Sequence, residues 1–176
     1  MSNIRKFLNF TPQIAESAFI DPSAVIIGQV TIGENSSIWC NAVARGDVSY
    51  IKIGKNSNVQ DLTMMHVTHY NPGKTEETPL IIGDNVTVGH NCCLHGCTLE
   101  NNTFIGMGTT VLDKAVVKEN SMVGAGSLVP QGKVLESGYL YFGNPVKQIR
   151  KLTDAEIAHI QYSAEHYMKI SDNHKK

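Results

Sequence analysis

From Ile20 the aliphatic positions of the chain recur at every sixth residue, Ile20, Ile26, Ile32, Ile38 and then Ala44, and a small or β-branched residue stands two places before each (Ala18, Ala24, Val30, Ser36, Ala42). The beat resumes at Ile53, Val59 and Met65, and again at Ile82, Val88 and Leu94. One shorter step leads to Leu99, and regular steps follow through Ile105, Val111, Val117, Val123, Val129, Leu135 and Tyr141. A period of six is neither the 3.6 of a helix nor the 2 of a simple strand. It predicts short strands that each place one aliphatic side chain inside before the chain turns a corner, so that three hexads close one triangular coil of about 18 residues. Successive coils then stack about 4.8 Å apart as a parallel β-helix around a narrow aliphatic column. An alternating β-sandwich would not keep this phase over so much of the chain.

Departures from the beat carry as much information as the beat. Met65 and Ile82 are 17 residues apart, one hexad step plus eleven, which predicts a loop excursion at about residues 67–80. Counting past it, Met65 to Leu94 is three steps, one full coil. His66 and His95, each following its aliphatic marker, are therefore expected to point outward and stack one strand apart. His90 follows Val88 by two residues, and the corner before Leu94 keeps it too far from His95 for both to reach one ion. Beyond Tyr141, the stretch from Gly143 to Arg150 reads as a turn and a basic exit. From Thr153 the pattern becomes helical, with a capping box from Thr153 to Glu156 and one face formed by Ile157, Ile160, Ala164, Tyr167 and Met168. The helix could lie along its own prism or against a neighbouring subunit, and the closing SDNHKK reads as a frayed tail. The expected organisation is a β-helix over residues 1–150 and a helix with polar tail over 151–176.

Composition narrows the function classes. With 176 residues and 41% hydrophobic content the chain can bury one sizeable core, and a net charge of -1 gives no footprint for a nucleic-acid or membrane partner. The N-terminus lacks the apolar core of a signal peptide and no run has the length of a spanning helix, so a cytoplasmic protein is expected. Cys40, Cys92, Cys93 and Cys97 contain no CxxC pair and read as reduced, partly buried thiols rather than disulfides or a thiolate zinc site.

The outward, stacked His66 and His95 suit two ligands of one metal ion. If the chain assembles around a threefold axis, His90 of a neighbouring subunit can complete the site, giving three interfacial sites per trimer.

The hexads resemble the left-handed parallel β-helix of the hexapeptide-repeat superfamily, an all-β fold here followed by a C-terminal α-helix; the resemblance, and not the period, supplies the hand. A more specific resemblance lies in Arg45-Gly46-Asp47, Asn58-Val59-Gln60-Asp61, His66, the segment from Gly89-His90 through His95-Gly96, and Gly138-Tyr139 with Gly143. Together these are similar to the γ-class carbonic anhydrases, and most to the shorter bacterial members, over nearly the entire chain. The resemblance implies a homotrimer with zinc, or alternatively iron or cobalt, held by His66, His90 and His95. It implies that Gln60 orients the metal-bound hydroxide, Asn58 contacts bicarbonate or solvent, Tyr139 closes the pocket, and Arg45, Asp47 and Asp61 form ion pairs across subunits. On their own, Arg45 and Asp47 would read as a solvated turn and Tyr139 as a strand-edge aromatic.

The implied activity is reversible hydration of carbon dioxide to bicarbonate. Where the family prototype carries a proton-shuttling glutamate, this chain has His69, whose ordinary pKa of about 6.5 suits the task; Glu76 and Glu77 are alternatives. Other classes share the fold. A histidine without metal could serve an acyltransferase as general base, the same metal site could hydrolyse a CoA thioester, and a closed site would leave a non-enzymatic metal-binding trimer.

Overall fold

A computed structural model of the chain describes residues 3–69 and 77–176. The aliphatic markers from Ile26 through Leu135 form one continuous interior column, each no more than 1% exposed, while Ile20 at the N-terminal end is only partly covered. Around that column the chain winds as a left-handed parallel β-helix, as the period and the resemblance predicted. Most strands are two residues long, one side chain in and one out, because each hexad must spend its remaining residues on a corner.

The prism has three stacks of strands. One contains Met64–His66, Cys93–His95, Thr110–Val111 and Leu128–Val129; a second contains Leu80–Ile82, Thr98–Leu99, Val116–Val117 and Val134–Leu135. The third runs from Phe19–Ile20 through Ser37–Ile38, Asn58–Val59, Thr87–Val88, Phe104–Ile105 and Met122–Val123 to Tyr139–Phe142. Two longer strands, Val25–Ile32 and Val43–Ile53, pair in parallel and join the first two stacks into one sheet. Their register shifts between Gly28 and Val30, where the six-residue beat breaks and Arg45-Gly46-Asp47 sits. The two backbones come so close that a Cβ on Gly28 would lie 2.4 Å from the Gly46 carbonyl oxygen, and Gly28 has φ of +76°.

Corners are taken in the left-handed backbone region. Asn35, Asn56, Asn85 and Asn102 occupy one edge with φ between 54° and 56° and hand a hydrogen bond from each side-chain amide to the next, at 3.2, 3.0 and 3.2 Å. Asparagine tolerates this conformation better than other residues with a side chain. At another edge the successive corners are Asn41, Leu62, Asn91, Gly108 and Gly126, linked by backbone hydrogen bonds from coil to coil. Leu62 is the exception in that column and is 59% exposed.

Two expectations for the C-terminus need correction. After a turn containing a cis Asn144–Pro145 bond, residues Lys147–Lys151 do not simply exit but form a strand antiparallel to Tyr139–Phe142, with all five residues exposed. The helix α1, Asp154–His174, starts at the expected Thr153/Glu156 capping box and lies along its own prism, against Ser37–Ile38, Asn58–Val59 and Thr87–Val88. Its buried residues are Ile160, Ser163, Ala164 and Ser171, three of them small, and Ile157, expected on the packed face, is exposed. Nor is the end frayed at Ser171. The His174 ring packs 5.2 Å from Trp39 and 5.7 Å from Phe19.

All four cysteines are unpaired, and burial pushes the Cys92 thiol up to about 11, so it stays protonated and unreactive. Among the described residues no helix is long and apolar enough to cross a membrane.

Candidate metal centre

His66 and His95 are direct register partners in the stack that the excursion interrupts, so one-coil stacking brings their rings together. His66 Nδ1 stands 3.1 Å from His95 Nε2. The opposite nitrogen of each ring meets a carboxylate: His66 Nε2 lies 2.9 Å from Asp47 Oδ1, and His95 Nδ1 lies 2.6 Å from Asp113 Oδ1. An ionised carboxylate only accepts, which assigns the ring protons to His66 Nε2 and His95 Nδ1. The remaining nitrogens then turn lone pairs toward each other, an arrangement that asks for a cation against both. Zinc–nitrogen bonds of about 2.0–2.1 Å in a tetrahedral site place two donor nitrogens about 3.4 Å apart, so the pair has nearly the spacing of two ligands. The residues fit a metal.

The surrounding groups hold this arrangement. Asp47 also accepts from Arg45 Nη1; burial works to raise its pKa, but the hydrogen bonds from His66 and Arg45 keep it below the ordinary carboxylate value. Asp113 accepts a second hydrogen bond, 2.8 Å, from the hydroxyl of Thr68. Thr68 is itself pinned by an antiparallel bridge to Thr78 that closes the base of the excursion.

His90 is not brought to this pair. It lies at the corner following Thr87–Val88, half exposed, with Nδ1 2.7 Å from Asp61 Oδ2. Thus each of the three candidate ligands has one ring nitrogen on a carboxylate and the other available, the pattern that orients histidines in metal sites. Among the described residues, no three His, Cys, Asp or Glu side chains of the single chain are grouped to hold an ion.

Asn58 and Gln60 sit on the edge of His90 and Asp61, and both are buried. Gln60 Nε2 donates to Asn58 Oδ1 at 3.1 Å, and Asn58 Nδ2 donates to Thr87 Oγ1 at 2.9 Å. Asn58 is engaged at both ends of its amide and does not face the histidine pair. Tyr139 is distant as well: the strands Phe104–Ile105 and Met122–Val123 separate Tyr139–Phe142 from Thr87–Val88, and its ring lies 6.5 Å from that of Tyr141. The pairings of Arg45 with Asp47 and of Asp61 with His90 form within the chain. His69 is exposed at the base of the excursion, and Glu77 is exposed with its carboxylate 3.5 Å from the Ser49 hydroxyl. Glu76 lies outside the described residues.

Asp113 and Thr68 were not singled out by the sequence. Asp113 follows His95 by 18 residues, one place beyond the 17-residue coil that sets Leu94 opposite Val111, so counting by coils leads to its neighbourhood and not to the residue itself.

Comparison with known proteins shows the family. Residues 11–46 match the model of the bacterial transferase hexapeptide (six repeats), and residues 79–113 match that of the hexapeptide repeat of succinyl-transferase. Protein YrdA of Escherichia coli is 50% identical over 97% of this chain and 93% of its own length. The carbonic anhydrase of Geobacillus kaustophilus is 43% identical over 94% of this chain and 87% of its own length. Gamma carbonic anhydrase 2, mitochondrial, of Arabidopsis thaliana is 48% identical over 93% of this chain, which spans 59% of the plant protein. With this similarity running through the histidine-bearing coils, the chain belongs to the γ carbonic anhydrase-like family of hexapeptide-repeat proteins.

Proposed function

We propose that the protein is a metal-dependent carbonic anhydrase-like enzyme interconverting carbon dioxide and bicarbonate, in which His66 and His95 of one subunit and His90 of a neighbour in a homotrimer hold the ion, zinc or alternatively iron or cobalt. The observation that carries this reading is the facing of His66 Nδ1 and His95 Nε2 at 3.1 Å, each ring backed by an aspartate. A divalent ion on neutral imidazoles supplies acidity, lowering the pKa of water to about 7.

The residues of the chain do the rest. Asp47, Asp61 and Asp113 fix the tautomers of the three histidines and raise the basicity of the free nitrogens. Gln60, on the edge that carries His90, offers a neutral polar group that orients a reacting oxygen without adding charge. His69 and Glu77 stand exposed at the base of the excursion, where either can pass a proton to buffer.

Stopped-flow hydration of carbon dioxide by protein purified without oxygen, with metal quantified on the same sample, tests the reading. One ion per chain with metal-dependent hydration supports it; full metal without hydration refutes the substrate. The transferase descriptions of the matched repeats favour a second reading, since a histidine–aspartate pair also makes a general base. Acyl transfer from a CoA thioester by metal-free protein would favour it.

A further inference from the structure

A line of buried side-chain hydrogen bonds runs from α1 into the solenoid, separate from the histidine pair. Thr87 Oγ1 donates to Ser163 Oγ at 3.0 Å and accepts from Asn58 Nδ2 at 2.9 Å, and Asn58 Oδ1 accepts from Gln60 Nε2 at 3.1 Å. Thr87 is fully buried, Asn58 is 1% exposed and Gln60 5%, so water does not replace these bonds. A carboxamide has one donor end and one acceptor end. With the amine of Gln60 turned inward to Asn58, its carbonyl oxygen is turned the other way. The far end of the line is anchored on the helix, where the Thr87 hydroxyl meets Ser163 Oγ.

We infer that Thr87 and Ser163 are positioning residues for the reaction: through Thr87 and Asn58 the C-terminal helix anchors the Gln60 carboxamide, amine inward and carbonyl oxygen outward, at the edge bearing Asp61 and His90. The inference deepens the proposed function and rests on it, because it takes Gln60 as a group at the reacting edge. An outward carbonyl oxygen accepts from an O–H, so it orients water or the hydroxyl of bicarbonate and offers nothing to carbon dioxide. Asn58 becomes a link in the line rather than a contact for bicarbonate. This gives the buried Ser163 of α1 a purpose that an apolar residue would not serve.

Two readouts on the whole protein test this. Thr87→Val keeps the shape and removes the hydroxyl, whereas Thr87→Ser keeps the hydroxyl and removes a methyl group. By NMR, the Gln60 side-chain amide protons should exchange with solvent about tenfold faster in Thr87→Val and in Ser163→Ala, and at the wild-type rate in Thr87→Ser. In carbon dioxide hydration, Thr87→Val should lose about tenfold in kcat with KM and metal content unchanged, the signature of an interaction made in the transition state. Thr87→Ser should retain kcat despite a lower melting temperature. A merely structural role would make activity follow stability, so equal loss in Thr87→Ser overturns the inference. Unchanged amide exchange in Thr87→Val overturns it as well. Gln60→Ala separates the two levels: if exchange behaves as expected but Gln60→Ala hydrates carbon dioxide at the wild-type rate, it is the placement of Gln60 at the reacting edge that fails, and the catalytic use of the line falls with it.

Discussion

The coils after Leu99 and the coils before it are built from the same hexad, yet they differ in almost every detail that bears on chemistry. From Thr98 through Val129 the strands are uniform pairs with one half-buried and one buried residue, and 18-residue register partners such as Thr110 with Leu128 repeat without interruption. Between Val25 and His95 the strands run to eight and eleven residues, the register slips, and the six-residue beat is broken between Met65 and Ile82. All three candidate ligands and two of their three carboxylate partners, Asp47 and Asp61, lie in or beside the irregular half. A regular coil has an outward position for a side chain but no reason to make two of them converge; the irregular half supplies that reason by holding a polar group on each side of the ring.

The comparison can be broken most severely at the ligands. His95→Ala should weaken metal binding by about 100-fold or more while leaving the β-helix circular dichroism intact, and His90→Ala should empty the site even though His66 and His95 remain. Unchanged metal per chain in His90→Ala would refute the shared-site arrangement. In the regular half the reverse is expected: Ile105→Ala should destabilise by about 2–5 kcal/mol in denaturant titration, through the cavity it leaves, with metal stoichiometry unaffected. Asp113 joins the halves, and Asp113→Asn should weaken metal affinity by about 10–100-fold, read by competition with a chelator, at little loss of stability. Leu62 sharpens the contrast further. Relieving its left-handed backbone by Leu62→Asn, the residue found at the corners on either side, should stabilise the chain by about 1 kcal/mol; a loss of stability instead would mean that the leucine packs against a second copy. The smallest effect belongs to the helix start. Arg150, then the Thr153 backbone and hydroxyl, hold the Glu156 carboxyl down to about 2 from an ordinary value of 4.5. Its contribution is therefore whole above pH 4.5 and fades as pH falls toward 2, so the melting-temperature gap between wild type and Glu156→Gln should close over that interval.

What the sequence made legible was whatever depends on counting. The aliphatic column and the stacking of His66 on His95 both follow from the six-residue phase, because each coil is three counted steps; the middle of the expected excursion, residues 70–76, lies outside the described residues. Contacts between groups on adjacent coils follow the same count, but only when both members are known to matter. His95 drew attention as a histidine, whereas Asp113 looked like one more corner aspartate until its carboxylate was seen 2.6 Å from the ring. The Ser163 hydroxyl was harder to foresee, since the helix was read by its apolar residues and the stack it covers demands small ones. Likewise Tyr139 was placed by resemblance alone, and no count connected it to the coil of His90. The antiparallel strand Lys147–Lys151 escaped because all five of its residues are exposed and leave no hydrophobic signal.

That last strand has a consequence for assembly. A parallel β-helix is in effect a one-dimensional crystal, and each terminal coil exposes a row of backbone donors and acceptors on which another chain could nucleate. At the C-terminal end of the third stack the row is taken by a strand running the opposite way, whose outer edge carries Lys147, Arg150 and Lys151. An incoming parallel coil meets the wrong polarity and a fence of positive charge. Growth along the rod is opposed at this end of the third stack, and lateral association, which the proposed shared metal site uses, is left as the open direction.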